Sequence, residues 1–301
     1  MIKSFADVLD KVRANGMKKV AVAVAQDEPV LEAVADARKM GIADAILVGD
    51  REKIIRAAKA AGISIEEFQI IDETDNSKAA RTAVELVSSG NANMVMKGLI
   101  DTATFLKAVL DKEKGLRTGR VLSHIAVFDV PAIERIILVT DAAMNIAPDL
   151  MTKKQILENA VEFARGIGME NPKVAVVAAV EVVNPDMQPT LDAAVLSKMN
   201  DRGQIKGCIV DGPLAIDNAL SEEAAMHKGI KSPVAGSADI ILVPNIETGN
   251  VMYKTLTYTS NAKNGGIIAG AAAPIILTSR ADSHESKLYS IALASLTAEV
   301  K

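Results

Sequence analysis

From residue 18 to residue 110 the chain alternates without a break between short apolar runs and helical segments. Lys18–Ala25, Ala45–Val48, Gln69–Asp72 and Ala92–Met96 read as strands. Helices over 29–39, 51–61, 77–88 and 102–110 separate and follow them, and an earlier helix over 2–15 ends at Gly16. Pro29 suits the first turn of its helix, where a missing N–H costs nothing. Each parallel strand pair needs a crossover connection, so this alternation predicts a doubly wound parallel sheet.

The rhythm changes after residue 119. Val121–Phe128 and Arg135–Thr140 are two strands with no room for a helix between them, which predicts antiparallel neighbours or a strand crossing between lobes. A second series follows: a helix capped by Thr152 and running to Gly166, then strands 173–180, 207–211 and 239–243, with helices over 189–199, 221–227 and from 250. Gly265–Gly270 reads as a flexible stretch before a strand at 274–277 and a last helix over 284–298.

At 301 residues the chain is long enough for one large or two medium domains. Hydrophobic residues make up 49% and aromatics only 3%, without tryptophan, so the core is built from Ala, Val, Ile, Leu and Met. The net charge is −4 with no basic tract, which argues against nucleic acid and anionic membranes as partners. A single cysteine, Cys208, excludes an intrachain disulfide and a cysteine-rich metal site. The start, MIKSFADVLDKV, lacks the apolar core of a signal peptide, and no uncharged apolar run is long enough to span a membrane. The expectation is a soluble, cytoplasmic protein.

Candidate binding residues gather where strands end. Ligands of open α/β sheets sit outside the carboxyl ends of the strands, near helix N-termini. After the strand at 239–243, the loop of Asn245, Thr248, Gly249 and Asn250 suits a phosphate or another anion, and equally an ordinary strand–turn–helix joint. Before it, Ser232–Ser237 is a loop of small residues with a hydroxyl at each end. After the strand at 92–96, Lys97 offers a point charge and Gly98 permits close backbone approach. Asp211 and Asp217 share a strand-end loop, and Asp141–Asp149 carries further carboxylates and Asn145; all of these also serve as turn and cap residues. In Thr278-Ser279-Arg280-Ala281-Asp282-Ser283, Arg280 can clasp a phosphate and Ser279 can donate to it, while Ser279 and Asp282 can equally cap the final helix. The three histidines are far apart, with no metal-ligand spacing, and neither GxGxxG nor GxxxxGK[ST] is present.

Taken together, five stretches resemble the phosphate acetyl/butyryltransferase family: MKGLIDT (96–102), TDAAMNIAPD (140–149), DGPLAIDNALS (211–221), SPVAGSADIILVPNIETGNVMYK (232–254) and PIILTSRADS (274–283). The likeness runs over nearly the whole chain, and the butyryl branch is favoured by residues 180–207 and by LTSRADS. The resemblance implies an acyltransferase that interconverts butanoyl-CoA and phosphate with butanoyl phosphate and CoA. It implies a ternary complex without an acyl-enzyme, no tightly bound cofactor, and a homo-oligomer, at least a dimer. It also implies an isocitrate/isopropylmalate dehydrogenase-like architecture of two doubly wound α/β domains with a cleft between them. On that reading domain I is 1–125 plus 267–301 and domain II, 126–266, is inserted.

Carried over by motif, Ser279 stabilises the transition state and Arg280 binds the transferred phosphate. Lys97, Gly98, Asp211, Asp217, Ser232, Gly236, Asn245, Thr248, Gly249, Asn250, Lys254 and Thr278 line the substrate. Acetyl enzymes carry an aspartate seven residues after the serine; here Ser286 stands there, so Glu285 or Asp282 is the expected base. Three alternatives remain at this stage. The enzyme could prefer acetyl-CoA. A decarboxylating dehydrogenase of similar architecture would need metal-binding aspartates and a nicotinamide. A non-catalytic CoA-binding protein would bind CoA and release none.

Overall fold

The computed structural model describes residues 2–279 and 282–298. The chain divides into two compact units. One is discontinuous, Ala6–Arg120 with the chain from Gly265 onward; the other is Val121–Asn264 with the N-terminal residues up to Phe5.

The discontinuous unit begins with α1 (Phe5–Ala14), β1 (Lys18–Ala23), α2 (Glu28–Lys39), β2 (Ala43–Gly49), α3 (Arg51–Ala60), β3 (Gln69–Asp72), α4 (Asn76–Ser88), β4 (Met94–Lys97) and α5 (Thr102–Val109). The continuous unit runs through β5 (Ser123–Val130), β6 (Arg135–Thr140), α6 (Leu150–Gly166), β7 (Lys173–Val177), α7 (Gln188–Asp201), β8 (Ile209–Leu214), α8 (Ile216–Leu220), α9 (Glu222–His227), β9 (Ile240–Leu242) and α10 (Ile246–Thr259). β10 (Lys263–Ala269), β11 (Ile275–Ile276) and α11 (His284–Thr297) return the chain to the discontinuous unit.

In the discontinuous unit the strand order is β3-β2-β1-β4-β11-β10, parallel except for the antiparallel β10–β11 pair. β1 and β4 read as near-continuous apolar runs because both are buried on both faces. One set of helices, α2 with α3 and α11, and another, α4 with α5, pack on these strands, as a doubly wound sheet requires. The strand order reverses between β1 and β4, the switch point at which such sheets open a crevice.

The continuous unit has the order β5-β6-β9-β7-β8, with β5–β6 antiparallel and the rest parallel. Residues of five strands, among them Phe128, Val139, Ala175, Leu214 and Ile241, form one core with Met252, Tyr253 and Leu256 of α10. The Tyr253 ring meets Phe128 edge-on at 5.4 Å, which seats α10 on the sheet.

Several expectations are corrected. Gly265 and Gly266 lie in β10 rather than in a flexible stretch. A Cβ at Gly265 would stand 3.0 Å from the Ser290 nitrogen, and Gly266 N–H donates to Ser290 Oγ at 2.9 Å, so these glycines let α11 lie close to the strand. α6 is capped by Asp149, which accepts from the Thr152 N–H, not by Thr152. The helix read at 221–227 is α9, capped by Ser221, and a further short helix that the sequence reading missed, α8, precedes it. α10 starts at Ile246, four residues before the expected position.

Candidate active site

Parallel register brings three strand ends of the discontinuous unit together. Ala23 of β1 pairs with Lys97 of β4, and Met96 of β4 pairs with Ile276 of β11. Lys97 thus stands at the switch point, with Thr278 and Ser279 leaving the adjacent strand. Lys97 is buried, and its Nζ donates to the carbonyls of Gly98 at 3.2 Å and Ile100 at 3.0 Å. Gly98 N–H donates to Ala23 O at 2.8 Å. A Cβ there would press on Val24 O and lie 2.7 Å from Ala23 O. The close approach that Gly98 permits is therefore to the exit of β1. Val24 itself sits at φ 58°, a left-handed conformation that a β-branched residue adopts only when its surroundings force it. No signal in the sequence announces that strain.

Thr278 is buried and Ser279 exposed. Ser279 N–H donates to Asp282 Oδ2 at 2.7 Å, and Asp282 N–H returns to Ser279 O at 3.2 Å. Arg280 lies outside the described residues. Glu285, exposed in the first turn of α11, accepts from the Tyr289 hydroxyl at 2.7 Å. Below this turn lies Lys287, almost fully buried, a residue that sequence reasoning passed over. Its Nζ donates to Ser279 O at 3.2 Å and to Asp282 O at 2.6 Å.

A second cluster forms at strand ends of the continuous unit. Thr140 of β6 pairs with Leu242 of β9, so their exit loops start side by side. Asp141 is buried, and its carboxylate accepts from the N–H groups of Ala143 at 2.9 Å, Met144 at 3.0 Å and Asn145 at 3.2 Å. The Asn145 amide adds a fourth bond at 2.6 Å. Against this loop lies the N-terminus of α10. Asn245 is the cap, accepting from Thr248 N–H at 3.0 Å and Thr248 Oγ1 at 2.8 Å. A Cβ on Gly249 would stand 2.5 Å from Asp141 O, and Asn250 Nδ2 donates to Ala142 O at 3.3 Å. Thr248, Gly249 and Asn250 thus form the helix's first turn rather than a loop. Lys254 is exposed one turn further on.

The remaining expected residues stand apart. Asp211 lies within β8, opposite Ala175, and accepts from the Gly212 N–H at 2.8 Å. Asp217, exposed on α8, is paired with Lys228 at 3.0 Å, which holds its carboxyl below the usual range. Ser232 and Gly236 precede β9 and lie at its amino end, opposite Asn245. Ser232 Oγ accepts from Val234 N–H at 3.1 Å. Gly236, at φ +75°, gives way to the backbone of Glu222, whose Cα would be 2.5 Å from a Cβ. Cys208 is buried just before β8, and desolvation pushes its thiol up to about 11.

Comparison with known proteins gives these clusters their context. The model for Phosphate acetyl/butaryl transferase matches residues 4–82 and 73–295. The phosphate butyryltransferase of Clostridium acetobutylicum is 63% identical over 298 residues, 99% of each chain. The phosphate acetyltransferase of Thermotoga maritima is 47% identical over 97% of this chain and 98% of its own. Among solved structures, a branched-chain phosphotransacylase from Enterococcus faecalis superposes with a TM-score of 0.83 at 36% identity, covering 94% of this chain and all of that one. Its sequence and its α/β architecture agree: the chain belongs to the phosphate acetyl/butaryl transferase family.

Proposed function

We propose that this enzyme catalyses the reversible transfer of a butanoyl group between CoA and phosphate. The observation that carries the choice of acyl group is the 63% identity, across nearly the whole chain, to a phosphate butyryltransferase. In the direction of CoA acylation, the CoA sulfur attacks the carbonyl carbon of butanoyl phosphate. A C–S bond forms, the bond from that carbon to the phosphate oxygen breaks, and the electron pair leaves with phosphate. The thiol proton passes to a base, which we assign to Glu285.

Ser279 and Arg280 take the phosphate end in this reading, with Lys97, Gly98 and Thr278 behind them. The convergence of the β1, β4 and β11 ends supports it, since a phosphate needs positive charge and donors at one place. Asp211, Asp217, Ser232, Gly236, Asn245, Thr248, Gly249, Asn250 and Lys254 are assigned to the acyl-CoA side, the α10 N-terminus offering a positive dipole end. Val251 and Tyr258, 66% and 72% exposed and seven residues apart on α10, give self-association at least to a dimer an apolar face to use. We place the enzyme in the cytoplasm; among the described residues no helix is long and apolar enough to cross a membrane.

The test is CoA release from butanoyl-CoA, followed with a thiol reagent, with and without phosphate, and with acetyl-CoA alongside. Phosphate-dependent release that is faster with butanoyl-CoA is the expected result. Arg280→Ala should lower kcat/KM about 100-fold or more, as loss of a charge-stabilising donor does. Faster release with acetyl-CoA, the substrate side named for the Thermotoga relative, would correct the acyl group. Absence of release with both would overturn the reading.

A further inference from the structure

Burying an ammonium costs several kcal/mol, and a hydrocarbon of the same length would fill the same volume without that cost. Lys287 is nonetheless 1% exposed, on the face of α11 whose neighbours Leu288, Ile291 and Ala292 are core. Its donors go to two backbone carbonyls, those of Ser279 and Asp282. These residues are already tied to each other by the Ser279 N–H to Asp282 carboxylate bond at 2.7 Å. They also flank Arg280 in sequence, so the charge is directed at the ends of one short segment. Burial lowers the affinity of Lys287 for its proton, while the charges of Asp282 and Asp27 raise it.

We propose that Lys287 is a positioning residue for phosphate: by binding the carbonyls of Ser279 and Asp282 it fixes Ser279 where it can meet the transferred group. The proposal rests on the reading that Ser279 and Arg280 take phosphate. Lys287 does not touch substrate; it acts through its neighbours. A turn whose carbonyls are drawn inward by a cation also turns fewer lone pairs toward an incoming anion.

Lys287→Met removes the donors and keeps the length. Expected is a rise of about 10- to 100-fold in KM for phosphate, the scale that misplacement of a binding group brings, while KM for butanoyl-CoA stays within about twofold. In a Ser279→Ala background the same substitution should change the phosphate KM by less than about twofold, because the hydroxyl it positions is gone. Lys287→Gln, which keeps an N–H donor, should fall between Met and the parent, and it provides the reading if the Met variant does not fold. An unchanged phosphate KM, an equal rise for both substrates, or losses that multiply in the double variant would each overturn the proposal. An Arg280→Ala enzyme with unaltered phosphate KM would instead overturn the underlying assignment of the phosphate site.

Discussion

In the continuous unit a buried carboxylate, Asp141, gathers three backbone N–H groups and an amide; in the discontinuous unit two buried ammonium groups, Lys97 and Lys287, gather four backbone carbonyls. Both arrangements stiffen the loops that leave parallel strands, and each sequesters the opposite kind of backbone group. Carbonyl lone pairs repel phosphate, so a turn whose carbonyls are bound by lysines is the better anion seat. Asp141 takes N–H groups out of play, and its loop serves as the platform on which the α10 N-terminus rests through Gly249 and Asn250. On the proposed assignment, the difference separates a turn that receives phosphate from a platform that seats the helix facing acyl-CoA.

Asp141→Ala tests the platform hardest. It strands four donors at once, and hydrogen bonds to a charged acceptor contribute about 1.5–3 kcal/mol each. A loss of about 3–5 kcal/mol is expected, read by denaturant unfolding. A loss below about 1 kcal/mol would mean that the loop holds itself without the anion. Gly98→Ala and Gly249→Ala come next, each forcing a methyl group onto backbone, at a cost of about 1–3 kcal/mol. Equal destabilisation with kcat/KM reduced only by Gly98→Ala would assign the chemistry to the lysine-bound side.

The pH response of Lys287 follows from its burial. Its folded pKa lies below the ordinary 10.5, so between the two values the unfolded chain binds more protons. Stability therefore rises with pH across that window and falls as pH drops through the folded value. The parent enzyme should gain on Lys287→Met as pH climbs towards 10.5, measured by unfolding at a series of pH values; a constant difference would contradict the burial argument. The smallest effect belongs to Asp217→Asn, which breaks an exposed pair with Lys228. A change under about 1 kcal/mol is expected, because water screens such pairs. A larger one would show that ion pairing itself, rather than burial, sets the contrast between the two units.

Much of this was legible in the chain alone. Alternating apolar runs and helical segments specified a parallel α/β sheet, and β3 falls on the residues read for it, Gln69–Asp72. The lack of room for a helix after β5 left antiparallel neighbours or a strand crossing between lobes, and β5 and β6 form the antiparallel pair. These features are local: strand period, turn residues and connection length act over a few positions. The candidate residues at the strand ends were visible for the same reason, and the motifs pointed to the family to which the chain belongs.

What stayed hidden depends on neighbours remote in sequence. Gly265 and Gly266 look like a flexible pair until Tyr289 and Ser290 of α11, more than twenty residues on, close against them. Ser232 and Asn245 look like two sides of one site, yet a strand separates them end from end. Lys287 reads as one more polar residue on a helix; only packing against the turn at Ser279 shows that its charge is buried and where its donors go. Local sequence thus determined most of the strands and helices and many of the residues that stand at their ends. Tertiary structure alone decided which of those residues meet, because burial and hydrogen-bond satisfaction are properties of the assembled sheet and not of any one segment.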